Sequence, residues 1–186
     1  NINPKAKFYN KDMTHMRRKT DFTMFEGVDV VFHTAAAARV QPSIENPVEF
    51  NRTNVSGTLQ MLQACVDYGV KRFIYSSSSS VYGEVEQTPT PESHNLNPLS
   101  PYALQKLIGE QYCKLYSDLY GLETICLRYF NVYGERQLLE GAYCLVMGIF
   151  AQQRLNNKPM TINGDGEQRR DFTYVGDVVD ANIRAA

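Results

Sequence analysis

Tyr102 and Lys106 stand four residues apart, a spacing that puts both side chains on one face of a helix. A free tyrosine titrates near pH 10, too high for a base at neutral pH. A neighbouring ammonium favours the phenolate, so the pair suits proton abstraction from a hydroxyl. A surface lysine beside a half-buried tyrosine gives the same spacing, and in a chain with 12 tyrosines such pairs arise by chance. The pair therefore needs its context. Serines run from Ser76 to Ser80, about 24 residues before the tyrosine. Small residues run from Ala35 to Ala38, and Asn131 follows a third apolar run. Small residues permit close approach of a flat cofactor; tight packing or a plain turn explains each stretch equally well.

These residues must be held by regular elements. The β-branched run Val28 to Thr34 reads as a buried parallel strand, as do Arg72 to Ser77 and Thr124 to Phe130. Asn46 to Tyr68 reads as one helix, with Val55, Leu59, Leu62 and Val66 on one side and Gly69 as its stop. Ser100-Pro101 supplies an N-cap and a first-turn proline for a second helix ending at Gly121. Its apolar stripe is Leu104, Ile108, Tyr112, Leu115 and Leu119. Glu84 to Leu99 has no period and reads as a loop. Tyr143 to Leu155 and Val178 to Ala186 read as helical, and Met160 to Ile162 as a short strand. Alternating strand and helix is the pattern of an α/β, doubly wound parallel sheet, in which ligands bind at the carboxyl ends of strands. The alanines, the serines and Asn131 all fall at such ends.

Composition narrows the function classes. A net charge of −1 gives no general attraction to nucleic acid or anionic membrane. No apolar run reaches the roughly 18 residues of a membrane span, and no signal peptide is visible. The four cysteines, Cys65, Cys113, Cys126 and Cys144, form no CxxC pair, which argues against a zinc site or a disulfide framework and fits a reducing cytosol. The chain opens in mid-pattern and closes inside a helical one, so the ends predict a fragment.

The order of the motifs carries a resemblance. Ser76 to Gly83 (SSSSSVYG) with Ser100 to Lys106 (SPYALQK) resembles the signature of the extended short-chain dehydrogenase/reductase family. Leu127 to Gly134 (LRYFNVYG), Gly164-Asp165-Gly166 with Arg169 to Phe172 (RRDF), Val175 to Val178, His33 to Ala36 (HTAA) and Asn54 to Thr58 (NVSGT) are similar to stretches of its nucleotide-sugar epimerases.

The resemblance implies a Rossmann-like domain over 1–135, lacking its first βαβ unit and Gly-rich loop, and part of a substrate-binding region over 136–186. It implies Ser78, Tyr102 and Lys106 as catalytic residues, with Lys106 lowering the tyrosine pKa. NAD would lie against Asp12, Met13, Ala35, Ala36, Ala37, Thr53, Ser76 and Phe130 as well as Tyr102 and Lys106. The sugar nucleotide would meet Ser43, Ser78, Ser80, Tyr102, Asn131, Val146 and Arg170. No metal is implied. The activity implied is NAD-dependent 4-epimerisation of a UDP-sugar by a cytoplasmic enzyme, a homodimer built on a four-helix bundle. A dehydratase, reductase or uronate epimerase of the family, or a non-catalytic relative that binds NAD or nucleotide-sugar, are the alternatives. Dehydratases of the family carry an acidic pair where this chain has Ser79-Ser80, which favours epimerisation. Val146-Met147-Gly148 departs from the V-I-P common in relatives.

Overall fold

The structure is a computed structural model that describes residues 3–16, 19–139, 144–162 and 164–186. Three parallel strands form its sheet in the order β1 (Val30–His33), β2 (Arg72–Ser78), β3 (Glu123–Tyr129). The register pairs Val30 with Arg72 and Arg72 with Glu123. Between β1 and β2 the chain forms α1 (Val40–Glu45), α2 (Pro47–Asn51), a π-helical turn (Arg52–Gly57) and α3 (Thr58–Tyr68). Between β2 and β3 lies α4 (Pro101–Tyr120), packed against β2, β3 and α3. The centre of the sheet is fully buried at Phe73, Ile74 and Tyr75, and Leu62, Cys65 and Cys113 close over it from the helices. Taking Phe73, Ile74 or Leu62 out of water contributes about 1.5–3 kcal/mol apiece.

α4 begins and ends where its capping residues require. Ser100 Oγ accepts the Ala103 amide at 3.1 Å, and Gly121 takes the left-handed conformation at φ 69°. The face it buries is not the leucine stripe. Ala103, Gln105, Lys106, Gly109, Cys113 and Tyr116 point inward, while Leu104, Leu115 and Leu119 are exposed. Gly109 explains the choice, because a Cβ there would overlap the ring of Tyr75. Without one, the helix lies close on the sheet and polar neighbours come in with it.

The expected single helix from Asn46 is instead interrupted by the π-helical turn, which swings Asn54 inward. Met160 to Ile162 is not a strand: the Gln153 side chain bonds Thr161 at both its amide (3.0 Å) and its hydroxyl (2.8 Å), taking the place of a partner strand. Two strands had no signal in the sequence. β4 (Asn131–Tyr133) pairs in parallel with β5 (Phe172–Tyr174), and α6 (Val175–Ala185) follows. The helix expected from Tyr143 is α5 (Val146–Leu155), Tyr143 itself lying outside the described residues.

Candidate active site

β2 ends at Ser78, and the first turns of α4 run beside that end. Lys106 is 4% exposed, and its Nζ donates to the Ser76 carbonyl at 2.7 Å. The same nitrogen lies 5.1 Å from the centroid of the Tyr75 ring and 6.0 Å from that of Tyr102. Burial brings the Lys106 pKa down to about 8. Ser78 Oγ accepts from Ser80 twice, from its amide at 3.2 Å and its hydroxyl at 2.9 Å. With both lone pairs occupied, the Ser78 proton is the one left to give. Ser78 hydrogen-bonds the Tyr102 side chain and so pulls its pKa down, but burial is the larger effect and holds Tyr102 above the usual tyrosine value. The expected lowering by Lys106 is therefore not what the fold supplies; its ammonium is turned to the Ser76 carbonyl. Ser78, Tyr102 and Lys106 converge as the motifs implied.

Ser43 stands differently. It is fully buried, its hydroxyl donates to Val40 O at 2.6 Å, and its oxygen accepts the backbone amide of Tyr102 at 3.1 Å. Its donor and one of its two acceptor sites are spent on backbone, so Ser43 fixes the start of α4. Asn54 entered the sequence reading only as the first residue of the NVSGT stretch, with no role of its own. It exchanges two hydrogen bonds with the Ala37 backbone, at 2.8 and 2.9 Å, and a third, at 2.9 Å, joins it to Gln105 of α4. The alanine turn is thereby fixed to the helix that carries Tyr102. The NVSGT stretch and the asparagine inside a helical pattern are the hints the sequence offered.

Asp12, Met13 and Ala35 line one cavity of about 580 Å³, together with His33 and Thr34. Asp12 accepts from the Thr14 amide and hydroxyl, both at 2.8 Å, and these bonds lower its pKa. Ala36, Ala37 and Thr53 are half-buried. Phe130 instead lines a cavity with Tyr82, Glu110 and Arg128. Asn131, Val146 and Arg170, expected to meet the nucleotide, share a cavity of about 610 Å³ with Phe150 and Phe172. Asn131 Nδ2 donates to the Asp171 carbonyl at 2.9 Å, and Arg170 Nη1 to the Arg169 carbonyl at 2.7 Å.

Among the described residues no helix is long and apolar enough to cross a membrane, and no group of three or more His, Cys, Asp or Glu is placed to hold a metal.

The family model for "NAD dependent epimerase/dehydratase family" matches residues 1–186. The chain belongs to this family. A putative UDP-glucose 4-epimerase of Methanocaldococcus jannaschii is 47% identical over 186 residues, covering all of this chain and 60% of that protein. The UDP-glucose 4-epimerase of Thermotoga maritima, solved with UDP-glucose, superposes with a TM-score of 0.92 at 38% identity, over 98% of this chain and 59% of the other. A UDP-N-acetylglucosamine 4-epimerase of Methanobrevibacter ruminantium, solved with UDP-N-acetylmuramic acid, gives a TM-score of 0.89 at 40% identity, over 95% and 56%. The chain thus spans about 60% of the length of such epimerase relatives, and the Rossmann-like fold is the one they share.

Proposed function

We propose that the full-length protein interconverts UDP-sugars at C4, with NAD as a tightly held redox partner. The observation that carries this reading is the convergence of Ser78, Tyr102 and Lys106 at the end of β2. The residues also suit the cofactor. Ser76 Oγ is buried without a partner among the described residues, and Lys106 has spent one of its three donors. A buried hydroxyl and a buried ammonium with unused capacity fit the hydroxyls of a ribose. Met13 and the half-buried alanines offer apolar surface to flat rings.

Bound NAD supplies the acceptor, and later the donor, of the hydride at the sugar C4. The chain manages the proton. Burial alone keeps Tyr102 protonated. The positive charges of Lys106 and of a bound nicotinamide would favour its phenolate. That oxygen takes the proton from the C4 hydroxyl and returns it after the keto sugar has turned over. Ser78 donates to the oxygen that is negative at each stage, first the phenolate and then the developing alkoxide. Lys106 holds the ribose and keeps a positive charge near the ring. Hydride and proton both return, so atoms and oxidation state balance. Ser79 and Ser80 place uncharged hydroxyls where elimination of water would need an acid, which supports epimerisation over dehydration. Asn131 and Arg170 would hold the diphosphate, Arg170 through its forked donors.

The exposed stripe of Leu104, Leu115 and Leu119, with Val48, supports the pairing of two copies through a four-helix bundle. All four cysteines are free, in keeping with a reducing cytoplasm. The test is a panel of UDP-glucose, UDP-N-acetylglucosamine and UDP-glucuronate offered to the full-length, NAD-loaded protein. At least one should interconvert with its C4 epimer. Turnover of none, in protein that has bound both NAD and UDP, would refute the reading.

A further inference from the structure

Tyr102, Lys106 and Glu110 follow one another at four-residue intervals along one face of α4. The first two belong to the proposed chemistry; the third has no part in it. Glu110 is nonetheless heavily bonded. Its two oxygens accept Arg128 Nε at 2.9 Å and Nη2 at 2.8 Å, a bidentate pair, and Oε1 also accepts the Ser77 hydroxyl. The pair is nearly dry, with side chains 21% and 10% exposed. Arg128 sits directly across from Ser77 in the β2–β3 register, so both reach the carboxylate side by side. Its remaining nitrogen, Nη1, donates to Tyr82 Oη at 3.0 Å and to the Glu92 carbonyl at 3.2 Å. Tyr82 closes the 3-10 turn, Ser79–Tyr82, that begins on Ser78.

Ser78 is thus gripped on both sides. Ser76 is tied to α4 through Lys106 and Ser77 through Glu110, and the turn after Ser78 is tied through Tyr82 to Arg128 of β3, which in turn grips Glu110. A buried ion pair is weak evidence for stability, because its desolvation offsets much of its attraction; its best-attested use is to specify one register. We propose that Glu110 and Arg128 are positioning residues that set Ser78 against Tyr102, a role resting on the epimerase reading of that site. Neither touches the substrate. They act by fixing where the strand end lies along the helix.

The experiment uses the full-length protein and three variants: Glu110→Gln, Ser77→Ala, and the double variant Glu110→Met/Arg128→Leu. The last leaves no orphaned charge. Two readouts are taken, kcat and KM with the UDP-sugar that turns over, and the titration of Tyr102 by ultraviolet difference absorbance against a Tyr102→Phe background. We expect kcat to fall at least tenfold in Glu110→Gln with KM within about twofold, and a smaller fall in Ser77→Ala. The Tyr102 titration should move to higher pH in all three, because the Ser78 hydrogen bond that lowers it is loosened. Lower melting temperature with unchanged kcat and unchanged Tyr102 titration in Ser77→Ala and in the double variant would overturn the proposal. If the parent protein epimerises no UDP-sugar, the functional reading falls, and the Tyr102 titration still decides whether the pair positions Ser78.

Discussion

Replacing Lys106 by methionine should make the protein more stable and inactive at once. Burial takes the lysine pKa from 10.5 to about 8. Keeping that side chain charged at neutral pH therefore costs the fold about 3 kcal/mol, at 1.36 kcal/mol per pH unit. Methionine has nearly the same length and shape. It forfeits the bond from Nζ to the Ser76 carbonyl, a net loss of about 1 kcal/mol. The balance is a gain of about 2 kcal/mol at pH 7. Its pH dependence has a definite sign. Below pH 8 both folded and unfolded chains hold the proton, and the cost is at its full value. Between pH 8 and 10.5 the unfolded chain holds it and the folded chain has lost it, so wild-type stability climbs toward that of the variant. Urea denaturation of NAD-free full-length protein at pH 7 and at pH 10 measures both points. The advantage of Lys106→Met should be about 2 kcal/mol at pH 7 and close to zero at pH 10. A variant less stable than wild type at pH 7, or an advantage that does not change with pH, would refute the reasoning. A destabilised lysine retained in the core marks a residue placed for chemistry.

Three further outcomes follow from the same geometry. Tyr102→Phe should keep its circular dichroism and its NAD affinity while turnover drops by roughly 10²- to 10⁴-fold; normal turnover would remove Tyr102 from the mechanism. Burial holds the His33 pKa near 4, against its ordinary 6.5. The unfolded chain is thus protonated first as pH falls, and about 3 kcal/mol of stability should be lost between pH 6.5 and 4. His33→Gln, which keeps a partner for Thr58 Oγ1, should flatten that acid limb in pH-dependent unfolding, and an unchanged limb counts against the assignment. Leu115→Lys with Leu119→Lys, both at exposed positions of α4, should convert a sedimenting dimer to monomer; a monomeric parent would dismiss the four-helix bundle.

The parts of this fold legible in the sequence are those whose signals are local. Strand β2 was readable because Phe73, Ile74 and Tyr75 are apolar and all buried, and α4 because Ser100-Pro101 and Gly121 mark its ends. The inward face of α4 was misread because the leucines repeat at helical spacing on the outer side, while the buried side is built on Gly109, Gln105 and Lys106. Periodicity reports where apolar residues are, and here a second apolar face lies uncovered on this chain. Pairing of β4 with β5 joins segments of three residues some forty positions apart, too short to leave a pattern. Ser78, Tyr102 and Lys106 were legible from ordered motifs. The backbone bonds that Ser43 and Asn54 make left no mark in the sequence, since their partners lie far away in it. The same holds for Glu110, whose partners Ser77 and Arg128 are brought to it only by the strand register.

In the proposed reaction hydride leaves C4 and a proton leaves its hydroxyl, and both return within one closed site. Full-length protein carrying unlabelled NAD is incubated with UDP-glucose deuterated at C4, and the product is read by NMR; if the panel selects another UDP-sugar, that sugar is labelled instead. The expected product is the C4 epimer with its deuterium retained at C4 and every oxygen in place. Loss of the label to solvent, or formation of a 6-deoxy-4-keto sugar, would contradict it.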